Sequence, residues 1–158
     1  MDPKLDTGLP LRRVVLHWFG CGLTPKAPGT VGSLGALPFA WVLYEIGGPF
    51  LILAAAFALF LIGWWCAEAE LGGADADPGW IVVDEVVGQW LVLVLAPHNL
   101  VWYAAAFALF RVFDIWKPWP IRWVDHDVGG GFGIMLDDVV AALYAGVIIL
   151  VARVWLGL

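Results

Sequence analysis

The eighteen residues FLILAAAFALFLIGWWCA, from 50 to 67, carry no charge. As a helix they extend roughly 27 Å at 1.5 Å per residue, close to the thickness of a bilayer's hydrocarbon core. Four further apolar blocks, at 33–47, 81–97, 99–114 and about 133–156, are separated by turn signals. The first of these, about 22 Å long as a helix, is short for a full crossing and is expected to tilt against neighbours or to be incomplete as a span. Composition agrees: the chain of 158 residues is 62% hydrophobic and 14% charged, with a mean hydropathy of +0.87, too apolar for the surface of a soluble domain. The expected fold class is all-α, a polytopic membrane helical bundle of about five hydrophobic helices formed by a single membrane-embedded domain over 1–158. A short N-terminal interfacial helix over about 10–20 would hold Arg12 and Arg13 in the headgroup region. The N-terminal stretch MDPKLDTGLPLRRVVLHWFGCG lacks a clean signal-peptide core and cleavage site, and reads as part of the mature protein.

Five spans lay out as a zigzag. If residues 1–32 lie on one side, the connections at 68–80 and 115–132 return to it, and the other side receives the tight turns at 47–49 and 96–99 and the C-terminus. Seven of eight Lys/Arg (all but Arg153) and thirteen of fourteen Asp/Glu (all but Glu45) then fall on or at the membrane edge of the first side. The positive-inside bias makes that side cytoplasmic. The formal net charge of −6 argues against nucleic acid. For a lipid headgroup the sum misleads, because what matters is where the charges sit.

Several features read as ordinary structure. Cys21 and Cys66 form no CxxC or Cys/His spacing, so neither a zinc site nor a disulfide framework is indicated. AAAFALF occurs at both 54–60 and 104–110, which small residues packing between helices explain without a duplication. Many of the eleven tryptophans flank the apolar blocks, as interfacial anchors do; Trp116 to Trp123 could also shape lipid access. His17, His98 and His126 share no spacing, and His98 is expected at a far-side turn.

Three polar stretches on the inferred cytoplasmic side carry the candidate chemistry. In TPKAPGTVGSLGALP (24–38), Lys26, Thr30, Gly32 and Ser33 are candidates for holding phosphate, since a glycine loop before a helix can point several N–H groups at an anion. It is not a Walker loop, and a plain Gly/Pro turn with Ser33 as N-cap accounts for it equally. In IVVDEVVGQW (81–90), Asp84 and Glu85 lie about 100° apart on a helix. Either at least one is buried against a cation, metal or water, or the helix starts late and both sit in its first turn, where the dipole favours anions.

The third stretch, FRVFDIWKPWPIRWVDHDVGGGFGIMLDD (110–138), spaces Arg111, Asp114 and Lys117 at every third residue, on one face if the helix persists; Pro118 opposes helix at Lys117. After the glycine turn, Asp137 and Asp138 are expected near the first turn of the last helix. Asp84, Glu85, Asp114, Asp137 and Asp138, from three helix ends, can converge. Hard oxygen ligands suit Mg²⁺, which bridges to substrate phosphate, and Arg111 and Lys117 are candidates to hold that phosphate.

GTVGSLGALP (29–38), DPGWIVVDEVVGQW (77–90), FRVFDIWKPWPI (110–121) and GGGFGIMLDDVVAALYAG (129–146) resemble, in order and spacing, the signature blocks of the phosphatidylglycerophosphatase A family. The resemblance runs from about residue 12 to 150; residues 126–131 depart from the pattern. It implies a bacterial inner-membrane, Mg²⁺-dependent lipid phosphatase that converts phosphatidylglycerophosphate, an anionic phospholipid in the bilayer, to phosphatidylglycerol and inorganic phosphate; the charge layout puts its active site on the cytoplasmic face. Asp84, Glu85, Asp114 and Asp138 are then the candidate catalytic carboxylates.

The residues agree by exclusion. Neither cysteine is followed by the Cys-x₅-Arg arginine of cysteine phosphatases, and the DxDx(T/V) loop and the Ser-Gly-His block of other phosphatase classes are missing. Hydrolysis by metal-activated water is the leading expectation, with a covalent aspartyl-phosphate through Asp84 or Asp138 the alternative. The rival from another class, a transporter or channel with a carboxylate-lined site, calls for polar residues spread through the depth of the spans, whereas here they gather at one end.

Overall fold

The computed structural model describes residues 11–73 and 77–157. Proline and glycine explain where its helices begin and turn. α1 (Leu11–Leu16) ends in a tight turn at Trp18, Phe19 and Gly20, all with positive φ, and a 3₁₀ turn (Cys21–Leu23) follows. α2 (Pro28–Leu71) starts on a proline, whose missing N–H costs nothing at a helix start. Its one non-helical residue is Gly48, with φ 66 and ψ −163, followed by Pro49. A Cβ on Gly32 would lie 2.9 Å from Val82, and one on Gly63 would lie 3.1 Å from the neighbouring Val83. In a straight helix those two glycines would stand about 46 Å apart. The chain therefore doubles back at Gly48, and 28–47 and 49–71 form a helical hairpin, as the turn at 47–49 predicts.

α3 (Val83–Leu95) packs against both α2 and α6 (Gly130–Trp155), and α4 (Leu100–Trp116) packs against α6. Val83, Val86, Val87, Val92 and Leu93 of α3 are all essentially without exposed surface. α3 is thus the central helix, covered by its neighbours. α5 (Ile121–Asp127) is short and buries Ile121 and Val124 against the bundle. Phe50, Phe57, Val101, Val147, Val151 and Trp155 form part of a broad exposed apolar surface, suited to hydrocarbon rather than water. The described residues contain helices and no strand.

Several expectations need correction. Helix begins at Pro28, so the glycine-rich stretch is helix rather than loop and Ser33 is not its cap. Among the described residues two helices, α2 and α6, are both long and apolar enough to cross a membrane, which is short of the five expected. α3, at 13 residues, extends about 20 Å; it is a core helix rather than a clear span. α6 starts at Gly130, leaving Asp137 and Asp138 beyond its first turn. The interfacial helix is confined to Leu11–Leu16, with residue 10 outside the described residues, and Arg12 and Arg13 turn to Glu70 at 2.9 and 2.6 Å.

The two ends of the bundle differ in polarity. At the Gly48 end, Glu45 meets His98 Nε2 at 2.8 Å, Asn99 caps α4 by accepting from Trp102 N–H, and Arg153 donates to the Leu95 carbonyl at 2.9 Å. The other end gathers the starts of α2, α3 and α6, the end of α4, and α5.

Candidate active site

Asp84 and Glu85 occupy the first turn of α3, and Asp84 is buried even so. Both alternatives for this pair hold at once: the helix starts late, and the carboxylates face the interior. Asp138 of α6 completes the group, with one oxygen from each of the three carboxylates lying within 4.8 Å of the others. Asp84 Oδ1, Glu85 Oε2 and Asp138 Oδ2 are buried and accept no hydrogen bond among the described residues. Three anionic groups at such range, with orphaned oxygens, form an unstable arrangement in a low-dielectric interior unless something positive joins them. Because α6 begins two turns earlier, its dipole does little to stabilise Asp138.

The remaining two candidate carboxylates are already paired. Asp114 forms an ion pair with Arg111 one turn back along α4, and Arg111 Nη1 lies 3.9 Å from Glu85 Oε1. Arg111 thus links Asp114 to the carboxylate group, while its Nε makes no hydrogen bond among the described residues. Asp137 Oδ2 accepts from Lys117 Nζ at 2.6 Å, and its Oδ1 accepts from the Asp138 N–H at 2.9 Å. Lys117 also reaches Asp125 at 2.5 Å. Helix stops at Trp116, and Lys117 takes a left-handed conformation that swings its side chain off the Arg111–Asp114 face toward α5 and α6. Burial disfavours the Lys117 ammonium, but Asp137 and Asp125 outweigh it and hold its pKa above the ordinary lysine value.

The glycine-rich stretch contributes differently from expectation. Ser33 is buried and its hydroxyl donates to the Gly29 carbonyl at 3.0 Å; Gly32 is a packing residue against Val82. Thr30, half-buried, lies in the first turn of α2, and Lys26 is exposed just before it, with no ion-pair partner among the described residues. Gly29 is the residue that touches the site: a Cβ there would meet the Glu85 carboxylate, 2.9 Å from Cδ, and would lie 3.3 Å from Arg111 Nη1. Sequence reasoning missed Gly29, and also Glu68, which accepts from the Gly131 N–H at 2.9 Å at the start of α6. An acidic residue closing the apolar run at 50–67 was the available signal for Glu68. His126 is largely exposed, 3.5 Å from Asp127, and stands apart from the carboxylate group.

Apolar helices long enough to cross a membrane, together with a buried acidic group that could hold a metal ion, define a membrane protein with its polar chemistry gathered at one end. Comparison with known proteins identifies the kind. The profile of the phosphatidylglycerophosphatase A family matches residues 14–153, and the chain belongs to that family. It is 40% identical over 139 residues to phosphatidylglycerophosphatase A of Escherichia coli (strain K12), covering 87% of this chain and 81% of that one. It is 42% identical over 140 residues to phosphatidylglycerophosphatase A of Haemophilus influenzae, covering 87% and 86%. A relative from Bacteroides thetaiotaomicron, 43% identical over 143 residues and covering 85% and 89%, is provisionally named a phosphatidylinositol-3-phosphatase. No solved structure matches the chain.

Proposed function

We propose that this chain hydrolyses the terminal phosphomonoester of phosphatidylglycerophosphate, releasing phosphatidylglycerol and inorganic phosphate. The observation that carries the reading is the convergence of Asp84, Glu85 and Asp138, with unpartnered oxygens, beside Arg111. Family membership supplies the substrate. The compounds in the relatives' names share one pattern, a phosphomonoester on an alcohol that a phosphodiester joins to diacylglycerol.

The orphaned carboxylate oxygens fit a hard divalent cation such as Mg²⁺, with Asp84, Glu85 and Asp138 as its holders and Asp114 and Asp137 behind them. When bound, Mg²⁺ offsets the phosphate charge and acts as a Lewis acid. Arg111, whose buried Nε has no hydrogen-bond partner among the described residues, binds the phosphomonoester and the charge that builds on it. Glu85, the one carboxylate of the three within 4 Å of Arg111, takes the proton of the attacking water. The water oxygen bonds to phosphorus, the bond to the glycerol oxygen breaks, and that oxygen takes up the proton Glu85 received, leaving as the alcohol of phosphatidylglycerol with Glu85 again a carboxylate. Asp84 or Asp138 as a nucleophile remains the alternative route.

In this reading 28–47, 49–71, α3, α4 and α6 form a five-helix bundle in the bacterial inner membrane, with the carboxylate end toward the cytoplasm. The concentration of Lys/Arg at that end supports the orientation. The gathering of most of the charge at that end, with Glu45 and Arg153 the exceptions, also disfavours an ion pathway.

The test is phosphate release from detergent-solubilised phosphatidylglycerophosphate by the purified protein, with Mg²⁺ and with chelator. Release that requires the metal is expected. Folded protein that releases none in either condition overturns the reading.

A further inference from the structure

Beyond the carboxylate group, the carboxylate end of the bundle has a second basic feature. A shallow groove runs along α4 from Arg111 to Arg122 of α5, over Val112, Ile115 and Trp116. We propose that this groove seats the lipid's phosphodiester, and that Arg122 is the residue that holds it. The inference rests on the phosphatase reading above and names how the same site selects its substrate.

The two arginines differ in what surrounds them. Arg111 is mostly buried and engaged with Asp114 and Glu85. Arg122 is exposed, and its side chain has neither an ion-pair nor a hydrogen-bond partner among the described residues. Acidic residues lie on its own helix, but Asp125 is taken by Lys117 and Asp127 lies beside His126. Arg122 thus presents an unneutralised guanidinium, the planar donor set best matched to phosphate oxygens.

Its platform is held in place. Ile121 and Val124 anchor α5 in the bundle, and the Lys117–Asp125 pair, itself tied to Asp137, joins α5 to the start of α6. Arg122 therefore stands at a set position relative to the carboxylates. The floor of the groove is apolar and open: Val112, Ile115 and Trp116 are 53%, 69% and 65% exposed. On the other side of Arg122, exposed Trp119 and Trp123 line a neighbouring depression with Lys117. Arginine between tryptophans, above an apolar helix face, matches the depth at which a phospholipid's diester lies, with its acyl chains below.

A lipid with two phosphates then has two basic contacts of different kinds. The phosphomonoester meets Arg111 at the carboxylates, and the diester meets Arg122 at the groove mouth. In a chain of net charge −6 these cations also offset repulsion of an anionic substrate.

The test compares wild type, Arg122→Gln and Arg122→Lys in neutral-detergent micelles. Substrates are phosphatidylglycerophosphate and its water-soluble deacylated headgroup, which keeps both phosphates. Arg122→Gln is expected to raise KM for both by about tenfold, the scale of one lost charge-assisted contact, with kcat within about twofold. Arg122→Lys recovers part of the loss. Binding of phosphatidylglycerol, which carries the diester alone, should weaken about tenfold in Arg122→Gln; this arm reads the groove whether or not turnover occurs. Inhibition by inorganic phosphate should be the same in wild type and Arg122→Gln.

Unchanged KM and unchanged phosphatidylglycerol binding overturn the proposal while the phosphatase reading stands. A defect confined to anionic vesicles, absent in neutral micelles and for the deacylated headgroup, makes Arg122 a membrane anchor and also overturns it. Weaker inhibition by inorganic phosphate in Arg122→Gln assigns Arg122 to the monoester instead. Wild type that binds phosphatidylglycerol through Arg122 but hydrolyses neither substrate sinks the phosphatase reading alone.

Discussion

Gly29 at the start of α2 stands so close to Glu85 of α3 that a side chain on it has no room; its Cβ would lie 2.9 Å from the glutamate Cδ. The atoms in its way belong to a flexible side-chain tip, so Gly29→Ala is expected to fold and to displace the Glu85 carboxylate. Activity should fall on the order of a hundredfold, as for ångström-scale misplacement of a reacting group. Thermal unfolding in detergent should stay close to wild type. Full activity in Gly29→Ala would show that Glu85 can leave its position without consequence.

Gly131 poses the opposite case. A Cβ there would lie 2.6 Å from the Glu68 backbone nitrogen and 2.9 Å from the Trp64 carbonyl oxygen, where α6 crosses the second half of α2. Backbone atoms cannot step aside, so Gly131→Ala should cost roughly 1–3 kcal/mol of stability, as overpacking does. The measurement is the unfolding midpoint in detergent. A midpoint equal to wild type would mean the crossing is looser than described.

Asp138→Asn and Asp114→Asn should both lower turnover at least about a hundredfold, the scale of losing a positioned electrostatic group. They should differ in metal response. Removing one of three crowded, buried carboxylates relieves repulsion, so metal-free Asp138→Asn should unfold at a higher temperature than metal-free wild type. Mg²⁺ should stabilise wild type and Asp114→Asn, whose three-carboxylate group is intact, and should leave Asp138→Asn unmoved. Thermal scans with Mg²⁺ and with chelator check this; equal stabilisation of all three would remove Asp138 from the metal site.

Orientation is open to labelling. In a background with Cys21 and Cys66 replaced by alanine, single cysteines at Pro97 and Asp127 lie at opposite ends of the bundle. An impermeant thiol reagent applied to sealed, right-side-out vesicles should reach position 97 and spare 127. Labelling of both from one side would break the proposed arrangement across the membrane.

Much of the fold is legible in local patterns. Apolar blocks without charge announce helices, and Gly48-Pro49 and Pro97 to Asn99 mark the reversals, because glycine and proline act on the backbone wherever they stand. Boundaries are less legible. Glycines at 129–131 read as a turn, yet helix begins among them at Gly130, because Glu68, from a distant part of the chain, accepts the Gly131 N–H. Likewise 81–97 reads as a span from hydrophobicity alone, which cannot tell a lipid-facing helix from one enclosed by its neighbours.

The site divides in the same way. The residue types are written in the sequence: Asp84, Glu85, Asp114, Asp137 and Asp138 stand out because ionisable groups beside apolar helices are costly and so are kept for a reason. Their partners are decided in three dimensions. Lys117 shares a helical spacing with Arg111 and Asp114, yet the helix stops before it and it pairs with Asp137 and Asp125 instead. Asp114 is bound by Arg111, so the carboxylates left without a cation in contact are Asp84 and Asp138, with Glu85 at the edge of Arg111's reach. That the chain is helical and strongly apolar follows from its composition and its uncharged hydrophobic runs, which act locally. Which carboxylates stand uncompensated depends on long-range packing of α3, α4 and α6, and only the tertiary structure decides that.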